Sequence, residues 1–274
     1  MRFFTGVLLA LSLCAGAVSA QDSSATPSEL RTLQTGFDVR GLSGIGRLNI
    51  DNRIMCSGSL IADDLVLTAA HCLFDPESGQ PFEPADIEFL ADLRLGRPSA
   101  TRHASHIALL PEYSPGAADR LQIEHDIALL QLNSPIQSFT ISPFALGQSP
   151  GPGEDVGIIS YAKNRAESPA LQDRCHVTAR EGLALILTCT VDSGSSGAPV
   201  LQIEDGVATV VSVVSALGEL ENQKVAITTV LDGRVELLMA EIEALPPSTS
   251  RGTRRLIQIT PDQPDSGGAR FLRP

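Results

Sequence analysis

The chain is 274 residues long, with a formal net charge of −12 and 43% hydrophobic residues. That is enough chain for one large domain or two small ones. The acidic balance argues against nucleic acid and anionic membranes as partners, and reads as the solvated surface of an exported protein.

In chain order, residues 1–20 have the pattern of a signal peptide. Arg2 gives a positive start, Val7 to Val18 form a short apolar run, and Val18-Ser19-Ala20 offers the small residues that signal peptidase accepts. The run is too short to remain as a spanning anchor, so no membrane insertion is expected after cleavage. The expected location is secreted or periplasmic. Removal of Cys14 leaves Cys56, Cys72, Cys175 and Cys189. An even number in an exported chain suggests two disulfides, with the pairing open at this point. Residues 21–35 are rich in Ser and Thr without an apolar period and read as a loose leader or propeptide.

From Gly36 to Leu245 the sequence breaks into short runs rich in Val, Ile, Leu and Thr, punctuated by Gly and Pro. The clearest are Leu65-Val66-Leu67-Thr68, Ile127 to Leu132, Val156 to Ser160, Val207 to Val214 and Val225 to Val230. That cadence predicts an all-β sandwich or barrel. One helix is expected near the end, with Asp232 as its cap and Pro246-Pro247 as its stop. Val235, Leu238, Met239 and Ile242 share one of its faces. Residues 246–274, rich in Ser, Gly, Pro and Arg, read as a disordered C-terminal tail.

Three segments carry chemistry. The first is Cys56-Ser57-Gly58-Ser59-Leu60-Ile61, followed by Leu65 to Cys72. Two strands and a tight Ala69-Ala70-His71-Cys72 bend would hold an imidazole at a sheet edge. Cysteine beside histidine can also signal a metal site. The apolar strands and exported context argue against zinc, and no metal or cofactor is expected. The second segment is His125-Asp126-Ile127-Ala128-Leu129-Leu130. An acid opening an apolar strand sits buried and needs a partner, which a histidine N–H supplies. The third is Asp192-Ser193-Gly194-Ser195-Ser196-Gly197-Ala198-Pro199. A serine nucleophile needs an exposed hydroxyl and backbone N–H groups aimed at the developing oxyanion. Gly194 lets the backbone turn its N–H inward, Ser196 adds its own, and Gly197 leaves room for substrate.

Together these segments resemble the chymotrypsin-like (trypsin-like) serine proteases, in particular bacterial secreted members. The order His, Asp, Ser matches, whereas subtilisins and α/β-hydrolases use other orders on other folds. Two frames compete at the third motif. Asp192-Ser193-Gly194 looks like the family's Asp-Ser-Gly core, but that frame puts Val191 at the oxyanion glycine and Ser196 at the proline. The Ser196 frame satisfies both glycines and the proline and is preferred.

The resemblance spans about Gly36 to Ala244 and makes 36–245 the protease domain. It implies two six-stranded antiparallel β-barrels with a C-terminal helix, and a triad of His71, Asp126 and Ser196. The oxyanion hole would be the N–H groups of Gly194 and Ser196. It also implies disulfides Cys56–Cys72 and, as the remaining pair, Cys175–Cys189. Peptide or protein substrates and a monomer are expected. The family's acid before the nucleophile, which pairs with a new N-terminus in trypsin-like zymogens, is Ser195 here, so the oxyanion hole must form without that pair. Thr190, Val214, Ser215 and Leu217 fall at substrate-binding positions. None carries charge, which implies cleavage after small or medium uncharged residues. Glutamyl endopeptidases place a histidine where Val214 stands. The competing functions are a catalytically silent homologue acting as a binding or adaptor module, and an esterase. No triad residue is lost and no motif favours the esterase.

Overall fold

A computed structural model describes residues 27–116, 120–220 and 222–244. The expected signal peptide, the start of the leader and the tail from 246 onward lie outside the described residues, as do Pro246 and Pro247.

The chain is mostly β. Its strands are β1 (Arg31–Thr32), β2 (Ile45–Ile50), β3 (Ile54–Ala62), β4 (Leu65–Thr68), β5 (Ile87–Ala91), β6 (Ala100–Leu109) and β7 (Ala128–Leu132). The second half adds β8 (Ala145–Leu146), β9 (Asp155–Ala162), β10 (Arg165–Glu181), β11 (Ala184–Leu187), β12 (Pro199–Glu204), β13 (Val207–Leu220) and β14 (Gln223–Val230). Two helices are described, α1 (Arg120–Glu124) and α2 (Arg234–Ala244).

Strands β2 to β7 close into a barrel in the order β2-β3-β4-β7-β6-β5. The turn between β2 and β3 places Asp51 and Asn52 at φ 49° and 53°. These short polar side chains tolerate the left-handed region better than others. The remaining strands form an eight-stranded sheet along the path β1-β10-β11-β14-β13-β12-β9, with β8 parallel to β13 and β10 also pairing β9. The expected six strands are therefore joined by β1 and β8. In the β12–β13 hairpin Glu204 faces Val207 across Asp205-Gly206, both at positive φ. That is the two-residue turn an Asp-Gly pair favours.

The segment read as a loose leader is built into this sheet where it is described. Arg31 and Thr32 pair with Leu171 and Ala170, Leu33 is fully buried, and Ser28 exchanges bonds with Arg174. Two residues of strand carry too little periodicity to betray themselves in sequence. The expected C-terminal helix is present as α2, with Val235, Leu238 and Ile242 buried. It follows the second sheet in sequence but packs on β6 and β7 of the first barrel, tying the halves together. Asp232 precedes it and accepts from Arg180 at 2.7 Å.

The disulfides are Cys56–Cys72 and Cys175–Cys189. One joins β3 to the turn after β4; the other joins β10 to the segment that leads into residues 192–197. No described helix is long and apolar enough to cross a membrane.

Candidate active site

His71 sits in a single 3-10 turn, Ala70–Leu73, directly after β4. Ala69 and Ala70 are fully buried, and the Cys56–Cys72 disulfide pins the turn to β3. Strand β7 pairs with β4 so that Ala128 faces Thr68. This register brings the residues just before β7 to the end of β4, beside the histidine.

Asp126 arrives there almost wholly buried, at 1% exposure. A buried carboxylate is costly unless donors surround it, and three do. The backbone N–H of His71 donates to Oδ1 at 2.8 Å, and His71 Nδ1 donates to Oδ2 at 2.6 Å. The Ser215 hydroxyl also donates to Oδ2, at 2.5 Å. Burial lowers the His71 pKa, but its hydrogen bond to Asp126 and the charge of that residue outweigh burial and leave it raised above the usual 6.5. Nδ1 is committed to Asp126, while Nε2 lies 3.9 Å from Cys72 Sγ. Ser215 reaches the acid because the β13–β14 register shifts between Val214 and Ala216. Its sequence position signalled a binding role, not this bond.

Cys56, His71 and Cys72 also cluster closely enough to suggest metal ligation. The two sulfurs are joined in the disulfide and Nδ1 is held by Asp126, so the donors a metal needs are already spent.

Residues 192–198 form two consecutive turns. Ser195 N–H donates to Asp192 O at 2.9 Å, and Ala198 N–H to Ser195 O at 3.0 Å. Gly194 lies at φ +100°, and an added Cβ would fall 2.3 Å from Met55 Cε and 3.1 Å from Ala162 Cα. Gly197, at φ +76°, would meet Thr68 Oγ1 at 2.2 Å and Ser57 O at 2.3 Å. Only glycine fits either place. Among the described residues, neither the Gly194 nor the Ser196 N–H has an acceptor.

The loop is anchored from both halves. Ser196 O accepts from Ser57 N at 2.8 Å, and Gly197 N donates to Val214 O at 2.8 Å. The Ser57 hydroxyl donates to Gly194 O at 3.1 Å and accepts from Tyr161 N at 3.0 Å. Thus Ser196 follows the backbone of β3 on one side while Gly197 abuts Thr68 and Ala69, two residues before His71. Sequence reasoning took Ser57 for a strand residue; its only signal was a polar side chain in an apolar run. Ser193 is exposed, and its carbonyl accepts from Lys163 N.

A cavity of about 590 Å³ opens beside His71 and Asp126, lined by Ile123, Ala184, Ile186, Ser215, Ala216 and Ile227 among others. Of the four residues expected to bind substrate, only Ser215 lines it. Val214 is buried in the second-sheet core beside Ala198 and Val191. Thr190 is exposed, with its N–H held by Gln172 Oε1 at 2.7 Å. Leu217 is half exposed on β13. Half of the lining residues are apolar, and Gln122 and Glu181 join His71, Asp126 and Ser215 as the polar half.

Comparison with known proteins gives a family and a fold. A family model described as a trypsin-like peptidase domain matches residues 56–211. Mannan-binding lectin serine protease 1 of Rattus norvegicus is 30% identical over 124 residues, covering 40% of this chain and 17% of that protein. Serine protease 7 of Drosophila melanogaster is 33% identical over 108 residues, covering 32% of this chain and 25% of that one. The chain thus matches a quarter or less of the length of these relatives. A solved structure of Glu endopeptidase superposes with a TM-score of 0.64 at 14% identity, over 81% of this chain and 99% of that one. At that identity the likeness is one of fold.

Proposed function

Because the chain belongs to the trypsin-like peptidase family, we propose that it is a secreted serine endopeptidase with a triad of His71, Asp126 and Ser196. The observation that carries this reading is the buried Asp126 carboxylate bonded to His71 Nδ1, beside a loop whose Gly194 and Ser196 N–H groups have no acceptor among the described residues. His71 Nε2 takes the proton from the Ser196 hydroxyl as its oxygen attacks a peptide carbonyl. Asp126 holds the imidazole in the required tautomer and stabilises its cation, and His71 then protonates the leaving amine. The Gly194 and Ser196 N–H groups receive the oxyanion. Water repeats the sequence on the acyl-enzyme. None of these steps requires a metal or organic cofactor.

Pairing of β10 with both β9 and β11 supports a second six-stranded barrel as the frame of the nucleophile loop. Two disulfides support an oxidising compartment and so cleavage of the signal peptide and export. The resemblance puts uncharged Thr190 and Leu217 at the substrate, and desolvating a charged substrate side chain without a partner is costly. The preference proposed on that ground is for Ala, Val, Thr or Leu, with Arg, Lys, Asp and Glu poor. A peptide-library profile of the purified chain tests this. Dominant cleavage after Arg, Lys or Glu overturns the specificity, and no cleavage of any peptide overturns the function.

A further inference from the structure

The hairpin of β9 and β10 brings a charged side chain against the nucleophile loop. Arg165 Nη2 donates to Ser160 Oγ at 2.9 Å and reaches Ser195 Oγ at 3.4 Å, while Nη1 donates to Ser160 O. Burial pushes its pKa down, and the nearby charge of Asp192 opposes that. Its Nε is buried without a partner among the described residues. A guanidinium so placed costs stability, and an apolar side chain would fill the space more cheaply.

What the guanidinium meets is the inner side of the loop. Ser195 is fully buried. Its Oγ accepts from Asp192 N at 3.2 Å and lies 3.3 Å from both Ser160 Oγ and Tyr161 O. Ser195 N–H returns a bond to Asp192 O, so side chain and backbone close the same turn. Gly194 lies inside that turn, and Ser196 follows it. The orientation of both N–H groups proposed to receive the oxyanion depends on Ser195 staying in place.

We propose that Arg165 is a positioning residue for the oxyanion site, holding Ser195 and Ser160 together so that the Gly194 and Ser196 N–H groups stay aimed at the reacting carbonyl. The inference rests on the reading of Ser196 as nucleophile. The charge belongs to a side chain of the hairpin, and it is present as soon as the chain folds.

The test uses the full chain and its Arg165→Met, Arg165→Ala and Arg165→Lys variants, assayed for kcat and KM on one peptide amide. Thermal unfolding is recorded for each. Arg165→Met should lower kcat about 100-fold, within the range seen when an oxyanion donor is lost, with KM within about threefold. Arg165→Lys should not restore it, because a point donor cannot span Ser160 and Ser195 as a fork does. Millimolar guanidinium should recover at least about a tenth of the lost activity in Arg165→Ala, a response that an unfolded or merely destabilised variant would not give. Unchanged kcat in Arg165→Met overturns the inference, and so does activity lost only in step with unfolding and without rescue. A wild-type chain that cleaves nothing overturns the protease reading itself, a result distinct from an active wild type beside an equally active Arg165→Met.

Discussion

The two halves of the molecule hold their parts of the site by different means. The first barrel uses strands of four to ten residues and presents His71 and Asp126 through side-chain bonds, with one buried carboxylate satisfied by two donors of His71 and a third, Ser215, from the second sheet. The second sheet includes strands of 17 and 14 residues, with register shifts in both. It presents residues 192–198 through backbone, in two turns that need glycine at positive φ. A site made by a buried charge is sensitive to which side chain is present. A site made by backbone is sensitive instead to an added Cβ where glycine is wedged and to the few side chains, such as Ser195, that brace its turns. Substitutions should therefore fail in two recognisable ways.

The largest effect is expected at the nucleophile, where the loop's one reactive side chain acts. Ser196→Ala should lower turnover about a millionfold with the thermal midpoint preserved. Ser193→Ala should stay within about tenfold of wild type, because the exposed Ser193 uses its carbonyl and not its hydroxyl in the loop. Steady-state kinetics on a peptide amide separates them; a dead Ser193→Ala with a live Ser196→Ala would reverse the assignment.

On the first-barrel side, Asp126→Asn should lower kcat about ten-thousandfold by presenting the wrong tautomer of His71. The same pair sets the pH response. Catalysis needs neutral His71, and its folded pKa is raised above 6.5. The acid limb of kcat/KM should therefore have its midpoint above 6.5 and move down in the variant. The imidazolium is favoured in the folded state. Its contribution to stability is complete below pH 6.5 and is lost as pH rises through the folded value. A wild-type midpoint well below 6.5 would contradict the pairing.

Glycine substitutions sharpen the contrast. Gly197→Ala adds a Cβ 2.3 Å from Ser57 O at positive φ and should destabilise by about 3 kcal/mol or more. Gly206→Ala has the same sign of φ but no atom within 4 Å, and should cost about 1 kcal/mol. Denaturant titration reads both, and equal costs would show that the loop yields to side chains after all.

The smallest effect is expected at the half-exposed Leu217. Leu217→Gly should raise the relative kcat/KM for Phe and Tyr over Ala by about tenfold or less. No change in a library profile would remove Leu217 from the specificity-determining residues.

Much of this was legible where chemistry is local in sequence. His71 stands in a bend after an apolar strand, and Asp126 opens another. The strands β4, β7 and β14 lie close to their expected runs. Bonds that span the chain were not legible. Ser57 to Gly194 crosses 137 residues, and Ser215 reaches Asp126 only through a shift in strand register. Nothing near Arg165 in sequence announces Ser195 as its neighbour. The docking of α2 on the first barrel was hidden for the same reason: periodicity marks the apolar face of a helix but not what covers it.

The most direct test of the central claim is covalent. The purified chain is treated with a fluorophosphonate, digested, and the modified residue located by mass spectrometry. A single adduct on Ser196, absent in Ser196→Ala and strongly slowed in Asp126→Asn, is the predicted result. An adduct on Ser193, or none in a folded chain with both disulfides formed, would contradict it.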